Sequence, residues 1–286
     1  MKILDGKLVA NHIVQDVLER GRRFKNKYQR SPHLVVILVG DNSASQVYVR
    51  NKQVACQKVE IKSTLRKFPE SAAMADVESC IQELNQDREV DGILLQLPLP
   101  SHLDQKSLLN KISVFKDVDG LTEVAQSLFD QRKSFISPCT PRGIMKMIEF
   151  YKVPLQGTKA VVIGKSQIVG KPMAELLRRS GANVAVIDSK TIEPKKVSSN
   201  ADLVVVAAGR PMFFGKDYFQ KGAIVIDVGI HRLDNNKLCG DVNAAEMIGH
   251  LGALSPVPGG VGPLTIASLL ENTLILAEKR AESGEK

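Results

Sequence analysis

The chain contains no tryptophan, and aromatic residues make up only 5% of it. Base-stacking nucleic-acid modules are therefore not indicated, although the formal net charge is +8. Lys and Arg occur throughout rather than in one aromatic-rich module, so the charge reads as a generally basic surface that attracts small anions. The cysteines (Cys56, Cys80, Cys139, Cys239) are scattered with no C-x-x-C pair, which argues against a disulfide framework and against a zinc site. The histidines are equally dispersed, and no metal is expected. No apolar run approaches the roughly 20 residues of a membrane span. An apolar secretory stretch is missing from the N-terminus, so a cytoplasmic location is expected.

What is present fits a globular protein. At 286 residues the chain can form two domains with a sizeable core. Its most informative stretch is Gly164-Lys165-Ser166-Gln167-Ile168-Val169-Gly170-Lys171-Pro172. A β-branched run, Lys159 to Ile163, precedes it and reads as a buried parallel strand. Met173 to Ser180 follows with helical spacing, and Pro172 suits a first helical turn. Strand, glycine turn and helix in that order aim backbone N–H groups and the positive end of a helix dipole at one point, as a phosphate cradle does. Ser166 stands where the second glycine of G-x-G-x-x-G would be. A second strand, Asn183 to Ile187, ends on Asp188-Ser189, where a Rossmann unit meets the adenosine ribose. Leu203 to Ala207 and Ala223 to Asp227 also end in glycine-bearing loops, and ligands of open α/β sheets lie at such carboxyl ends.

The first half has an α/β pattern of its own. Lys7 to Tyr28 reads as an amphipathic helix, Leu34 to Val39 as a strand, and a further helix starts near Ser43 with Gln46 as a capping-box partner. Lys62 to Phe68 reads as a strand, Ala75 to Leu84 as a helix, and Gly92 to Leu97 as a strand stopped by Pro98-Leu99-Pro100. Thr140 is expected to cap a helix from Arg142 to Tyr151, and Leu264 to Glu282 forms a last helix folding back. In the helix after Ser43, Tyr48, Lys52, Ala55 and Val59 share one stripe. A lysine against apolar surface has its charged form destabilised, which suits proton transfer, and Lys52 is the best acid/base candidate of this half. Gln96 inside an apolar strand reads either as an edge amide facing water or as a strand-end ligand to substrate or lysine. Asp117-Val118-Asp119-Gly120 reads as an acidic turn, or as a carboxylate for a planar amidine-like edge. Ser255 to Thr265, where three prolines interleave with three glycines, is a constrained corner that can also approach a ligand closely.

Together, Tyr48-Val49-x-x-Lys52, Gln96 to Pro100, Lys116 to Gly120, Pro138 to Pro141, Gly164 to Pro172, Asp227 to Ile230, Gly240 to Val242 and Pro256 to Pro263 resemble the bifunctional methylenetetrahydrofolate dehydrogenase/methenyltetrahydrofolate cyclohydrolase family over essentially the whole chain. The resemblance implies two α/β domains with a cleft between them. Residues 1–140, with 264–286 as a returning C-terminal helix, would bind folate, and residues 141–263 would form a Rossmann-like NAD(P) domain. It implies a homodimer working in one-carbon metabolism and feeding purine, histidine and methionine biosynthesis. Lys52 would be the acid/base, Gln96 would orient it and Tyr48 would line the folate. Leu97, Pro98, Asp119, Pro258 and Gly259 would complete the substrate site, with Asp119 on the pterin amino-pyrimidine edge. Gly164, Lys165, Ser166, Ser189 and Ile230 would contact the cofactor. NADP is expected. Lys165 and Ser189 suit a 2′-phosphate, whereas Asp188 suits a free 2′-hydroxyl and leaves NAD possible. Ala125 and Ser127 depart from an Asn-x-Gly that many members carry. Two other readings are a different dehydrogenase of amino-acid or shikimate type, and a nucleic-acid-binding protein using the positive charge.

Overall fold

A computed structural model describes residues 1–283; the last three residues of the expected 264–286 segment lie outside the described residues. From the N-terminus the elements are β1 (Lys2–Ile3), α1 (Gly6–Tyr28), β2 (His33–Val39), α2 (Ser43–Lys58), β3 (Lys62–Phe68), α3 (Met74–Gln86) and β4 (Gly92–Leu95). There follow α4 (Gln105–Asn110), α5 (Glu123–Asp130), α6 (Cys139–Phe150), β5 (Lys159–Ile163), α7 (Gly170–Arg179) and β6 (Asn183–Ile187). The chain continues through α8 (Pro194–Ser198), β7 (Leu203–Val206), β8 (Ile224–Asp227), β9 (His231–Arg232), β10 (Leu238–Cys239), β11 (Ala253–Leu254) and α9 (Val261–Glu282). None of the described helices is long and apolar enough to cross a membrane.

These elements fall into two compact units, one of residues 1–11 and 140–265, the other of 12–139 and 266–286. Residues 1–11 group with the second-half unit rather than with the rest of the first half. The reason is β1, whose Lys2 and Ile3 pair in parallel with Ala253 and Leu254 of β11. Two-residue strands carry no readable period, and neither β1 nor β11 is visible in the sequence.

The unit containing β5 has a six-stranded parallel sheet in the order β1-β11-β8-β7-β5-β6. After β5 the chain lays β6 on one side, then returns to lay β7 on the other. The β5/β7 boundary is thus a topological switch point, where ligands of open α/β sheets bind. β7 is wholly buried, whereas the edge strand β6 leaves Ala185 and Val186 exposed. Val161, Ile163, Val204, Val206 and Val225 form a core with Phe214, Tyr218 and Met247.

The other unit has a three-stranded parallel sheet, β3-β2-β4, with β2 central and buried throughout. Val35, Ile37 and Val39 pack with Ile93, Leu95 and the apolar face of α3 (Val77, Cys80, Ile81, Leu84). A strand covered on both faces reads as an unbroken apolar run, as Leu34 to Val39 does.

Two expected caps differ. Asn42, not Ser43, caps α2: its Oδ1 accepts the Ser45 N–H (3.0 Å), while Gln46 donates to Asp41 Oδ1 (3.1 Å). Thr140 does not cap α6, which already begins at Cys139; its hydroxyl instead meets that of Thr265 at 3.0 Å. Ala125 and Ser127 lie within α5, where Thr122 caps the helix by accepting the Ala125 N–H (3.1 Å).

Candidate active site

α2 delivers the amine. Its buried residues are Ser45, Val49 and Cys56, with Val59 just beyond its end, and Lys52 is half-buried on that same stripe. Tyr48 sits one turn before Lys52 but is 37% exposed, so the buried face runs through Val49 and Cys56 rather than through Tyr48. Burial pushes the Cys56 thiol up to about 12, against the opposing pull of Lys52.

Gln96 meets Lys52. β4 ends at Leu95, so Gln96 stands just past the strand rather than inside it. Its backbone N–H donates to Ile37 O (2.9 Å), which extends the strand pairing by one residue. Lys52 Nζ donates to Gln96 Oε1 at 2.9 Å, and Gln96 Nε2 donates to Leu97 O at 2.6 Å. The amide is thus held at both ends, and of the two sequence readings it is the lysine-facing one that the fold adopts. Leu97 is half-buried and Pro98 exposed, joined by a cis peptide bond.

The 116–120 turn divides its charges between structure and site. Lys116 Nζ donates to Leu84 O (2.8 Å) and Asp87 O (2.6 Å). Asp117 is buried, with Oδ1 accepting the Gly120 N–H (2.9 Å) and Oδ2 the Thr122 N–H (2.8 Å). Gly120 supplies the φ of +68° that the turn requires. Asp119 is left half-buried; the Cys139 thiol donates to the neighbouring Val118 O (3.4 Å), and the Asp119 carboxylate acts on that thiol through its charge. Burial first, then this carboxylate, lift Cys139 well above the usual thiol range. Asn272 of α9 fixes the same place, donating to Val118 O and Ser137 O, both at 2.9 Å. Lys52 also acts on Cys139 and on Cys56 through its charge, so the amine lies within electrostatic reach of two protonated thiols. Sequence reasoning gave the thiols no role. Cys139 stands within the Pro138-Cys139-Thr140-Pro141 motif, which was the one available signal.

Burial also pushes the Asp117 carboxyl up to about 6, and Asp119 adds like-charge repulsion. The folded value lies above that of an unfolded aspartate, about 3.9. The folded chain therefore holds the extra proton between about pH 4 and 6, and that contribution to stability is lost as pH rises through about 6. We expect the stability of wild type minus that of Asp117→Asn to shrink over this interval. Urea unfolding at fixed ionic strength checks the sign, and a difference that widens with pH would contradict it.

In the other unit, the turn after β5 has the features of an anion cradle. Gly164 has φ +112°, and a Cβ there would strike Ala207 O; one at Gly170 would strike Gly164 O. Ser166 Oγ accepts the N–H groups of Val169 (3.2 Å) and Gly170 (3.3 Å), so the serine in place of a glycine stitches the loop to α7. The N–H groups of residues 165–168 donate to no acceptor among the described residues. A bare cradle of N–H groups at a helix N-terminus, with Lys165 beside it, fits a phosphorylated cofactor. Lys165 Nζ pairs with Asp188 Oδ2. Ser189 is exposed beyond β6, and Ile230 is 41% exposed beyond β8.

Asp227 and Asp241 lock the neighbouring strand-end loops. Asp227 accepts the N–H groups of Gly229 (2.9 Å), Asp241 (3.0 Å) and Val242 (2.9 Å). Asp241 accepts those of Ala208 (2.7 Å), Gly209 (2.9 Å) and Arg210 (2.8 Å), and meets His231 Nε2 at 2.7 Å. The Pro-Gly corner is tied down in the same unit: Gly259, buried at φ +104°, accepts the Gly6 N–H (2.9 Å), while Pro258 is exposed. Pro258 and Gly259 thus belong to the unit of the cradle, and Tyr48, Lys52, Gln96, Leu97, Pro98 and Asp119 to the other.

Comparison with known proteins covers both units. Residues 4–119 match the catalytic domain, and residues 138–281 the NAD(P)-binding domain, of the tetrahydrofolate dehydrogenase/cyclohydrolase family. The bifunctional protein FolD of Bdellovibrio bacteriovorus is 48% identical over 99% of each chain. The solved FolD dehydrogenase/cyclohydrolase of Campylobacter jejuni is similar with a TM-score of 0.94 and 42% identity, covering 98% of this chain and 99% of that one. The Trypanosoma brucei enzyme, solved with NADP and an inhibitor, is similar with a TM-score of 0.93 and 33% identity over 98% of each chain. A shikimate dehydrogenase from Thermus thermophilus shares only the fold, with a TM-score of 0.54 and 14% identity. With an amine–amide pair in one unit, a phosphate cradle in the other and a match across both, the chain belongs to the tetrahydrofolate dehydrogenase/cyclohydrolase family.

Proposed function

We infer that this protein oxidises 5,10-methylenetetrahydrofolate to the 5,10-methenyl form with NADP and then hydrolyses that product to 10-formyltetrahydrofolate. The observation that carries the reading is the hydrogen bond from Lys52 Nζ to Gln96 Oε1, in a chain that matches both domains of the family. NADP, when bound, supplies the hydride acceptor. Gly164, Lys165, Ser166, Ser189 and Ile230 are the residues that would hold it. The oxidation needs no acid or base from the protein, because the folate nitrogens stabilise the cation left at the bridging carbon; orientation is what the fold contributes.

Ring opening is different, since it moves protons. Water adds to the methenyl carbon, and Lys52 Nζ accepts a proton from it. The carbon–N5 bond then breaks with its electron pair on N5. Lys52 returns a proton there, then takes the hydroxyl proton, which leaves the formyl oxygen, and releases it to solvent. Gln96 orients Lys52 through Oε1, and its own bond to Leu97 O stops the amide from turning away. Asp119 would accept paired N–H donors from an amino-pyrimidine edge. Tyr48, Leu97 and Pro98 complete the proposed folate contacts.

The homodimer, the cytoplasmic location and the supply of purine, histidine and methionine biosynthesis belong to the same proposal, on the strength of the family likeness. A spectrophotometric time course with methylenetetrahydrofolate and NADP tests the core of it. Reduced cofactor should appear first, and the methenyl absorbance should then decay faster than an enzyme-free blank. Turnover of shikimate or an amino acid in place of the folate would reject the reading. Sedimentation of the purified chain tests the dimer.

A further inference from the structure

The nucleotide half-site carries an ion pair that a phosphate cradle does not require. β5 and β6 pair in register with Ile163 opposite Ile187, and Asp188 follows directly at the end of β6. Its carboxylate is fixed on three sides. Oδ1 accepts the Lys190 N–H (2.9 Å) and the Thr191 hydroxyl (3.2 Å), and Oδ2 holds Lys165 Nζ. The Asp188 backbone N–H is fixed too, donating to Thr191 Oγ1 at 2.9 Å. The two partners differ in freedom: the Asp188 side chain is 18% exposed and that of Lys165 is 61% exposed. Lys165 keeps the Asp188 carboxyl below the usual carboxylate range, so the acid is charged whenever the lysine is on it.

The chemistry of the ribose 2′ position sets these groups against each other. A carboxylate at the end of the second strand accepts a hydrogen bond from a free 2′-hydroxyl and repels a 2′-phosphate, while a flexible ammonium favours the phosphate. Here the carboxylate cannot leave and the ammonium can. We propose that Lys165 is an exchangeable cation, so that this site accepts both a 2′-phosphate and a free 2′-hydroxyl and discriminates weakly between them. With the hydroxyl, Lys165 stays on Asp188 and the carboxylate takes the 2′-OH. With the phosphate, Lys165 turns to the ligand beside the Ser189 hydroxyl, and the bare carboxylate lowers affinity. Asp188 limits binding of the phosphorylated ligand; Lys165 supplies it.

This inference rests on the nucleotide reading above and narrows it. The test is titration calorimetry of the full chain, without folate, using adenosine 2′,5′-bisphosphate and 5′-AMP as probes. Wild type should bind the two within about tenfold of each other. Asp188→Asn keeps an oxygen for Lys190 and Thr191 but loses the charge. It should tighten the bisphosphate by about three- to tenfold and leave 5′-AMP unchanged or weaker. Lys165→Met should weaken the bisphosphate by about tenfold or more and spare 5′-AMP. An affinity ratio in Asp188→Asn within twofold of wild type would overturn the exchange while leaving the nucleotide site intact. A hundredfold preference in wild type would do the same. If wild type binds neither probe, the nucleotide reading itself fails, and the inference with it.

Discussion

Lys52→Met should lose ring opening by about 10²–10⁴-fold while still reducing NADP, so that the methenyl product accumulates. Methionine keeps roughly the length and flexibility of lysine and has no proton to give. The loss would fall on the hydrolytic step alone, because the hydride step asks no proton of this amine. A secondary cost comes from Gln96, which is 9% exposed and would keep Oε1 without its donor. An unpartnered buried acceptor costs about 1–3 kcal/mol, so some destabilisation is expected as well. Retained dehydrogenase turnover in the same preparation separates that effect from the chemistry. Intact ring opening in Lys52→Met would remove the lysine from its role and leave Asp119 as the acid/base to examine.

The sequence made the amine visible but not its setting. Lys52 stood out because small and apolar residues recur around it at helical spacing, and the assigned stripe was off by about one residue in rotation. Tyr48, read as part of the apolar face, is 37% exposed, whereas Val49 and Cys56 face inward. A helix of one amphipathic face fixes which turn a residue occupies more firmly than which side of the stripe it borders. The strands of the cradle were legible for a better reason. Buried parallel strands are unbroken β-branched runs, and β5, β7 and β8 run into glycine-bearing loops, as the close approach of Gly164 to Ala207 O shows. Contacts between remote segments were not legible. Asp241 caps residues some thirty positions earlier, Asn272 reaches Val118, and the Cys139 thiol meets Val118 O, all through pairings that no local period encodes.

The largest stability effect is expected at such a remote pairing. Asp91 has no exposed surface and sits just before β4, where it accepts two bonds from Arg30 (2.6 and 2.8 Å), one from Arg280 (3.1 Å) and the His33 N–H (2.9 Å). Arg280 also donates to Val90 O, so the end of α9 is held to the start of β4 through one carboxylate. Removing that carboxylate leaves the Arg280 guanidinium, 8% exposed, without its counter-charge. Breaking a buried pair from one side costs about 3–5 kcal/mol, a large share of the stability of an ordinary domain. Asp91→Ala should lose that much in urea unfolding monitored by far-UV circular dichroism. Adding Arg280→Leu should recover part of the loss, because a buried charge without a partner costs more than an apolar side chain in its place. A double variant less stable than Asp91→Ala would mean that the contacts of Arg280 to Val90 and Arg88, rather than its charge on Asp91, are what hold α9 in this unit.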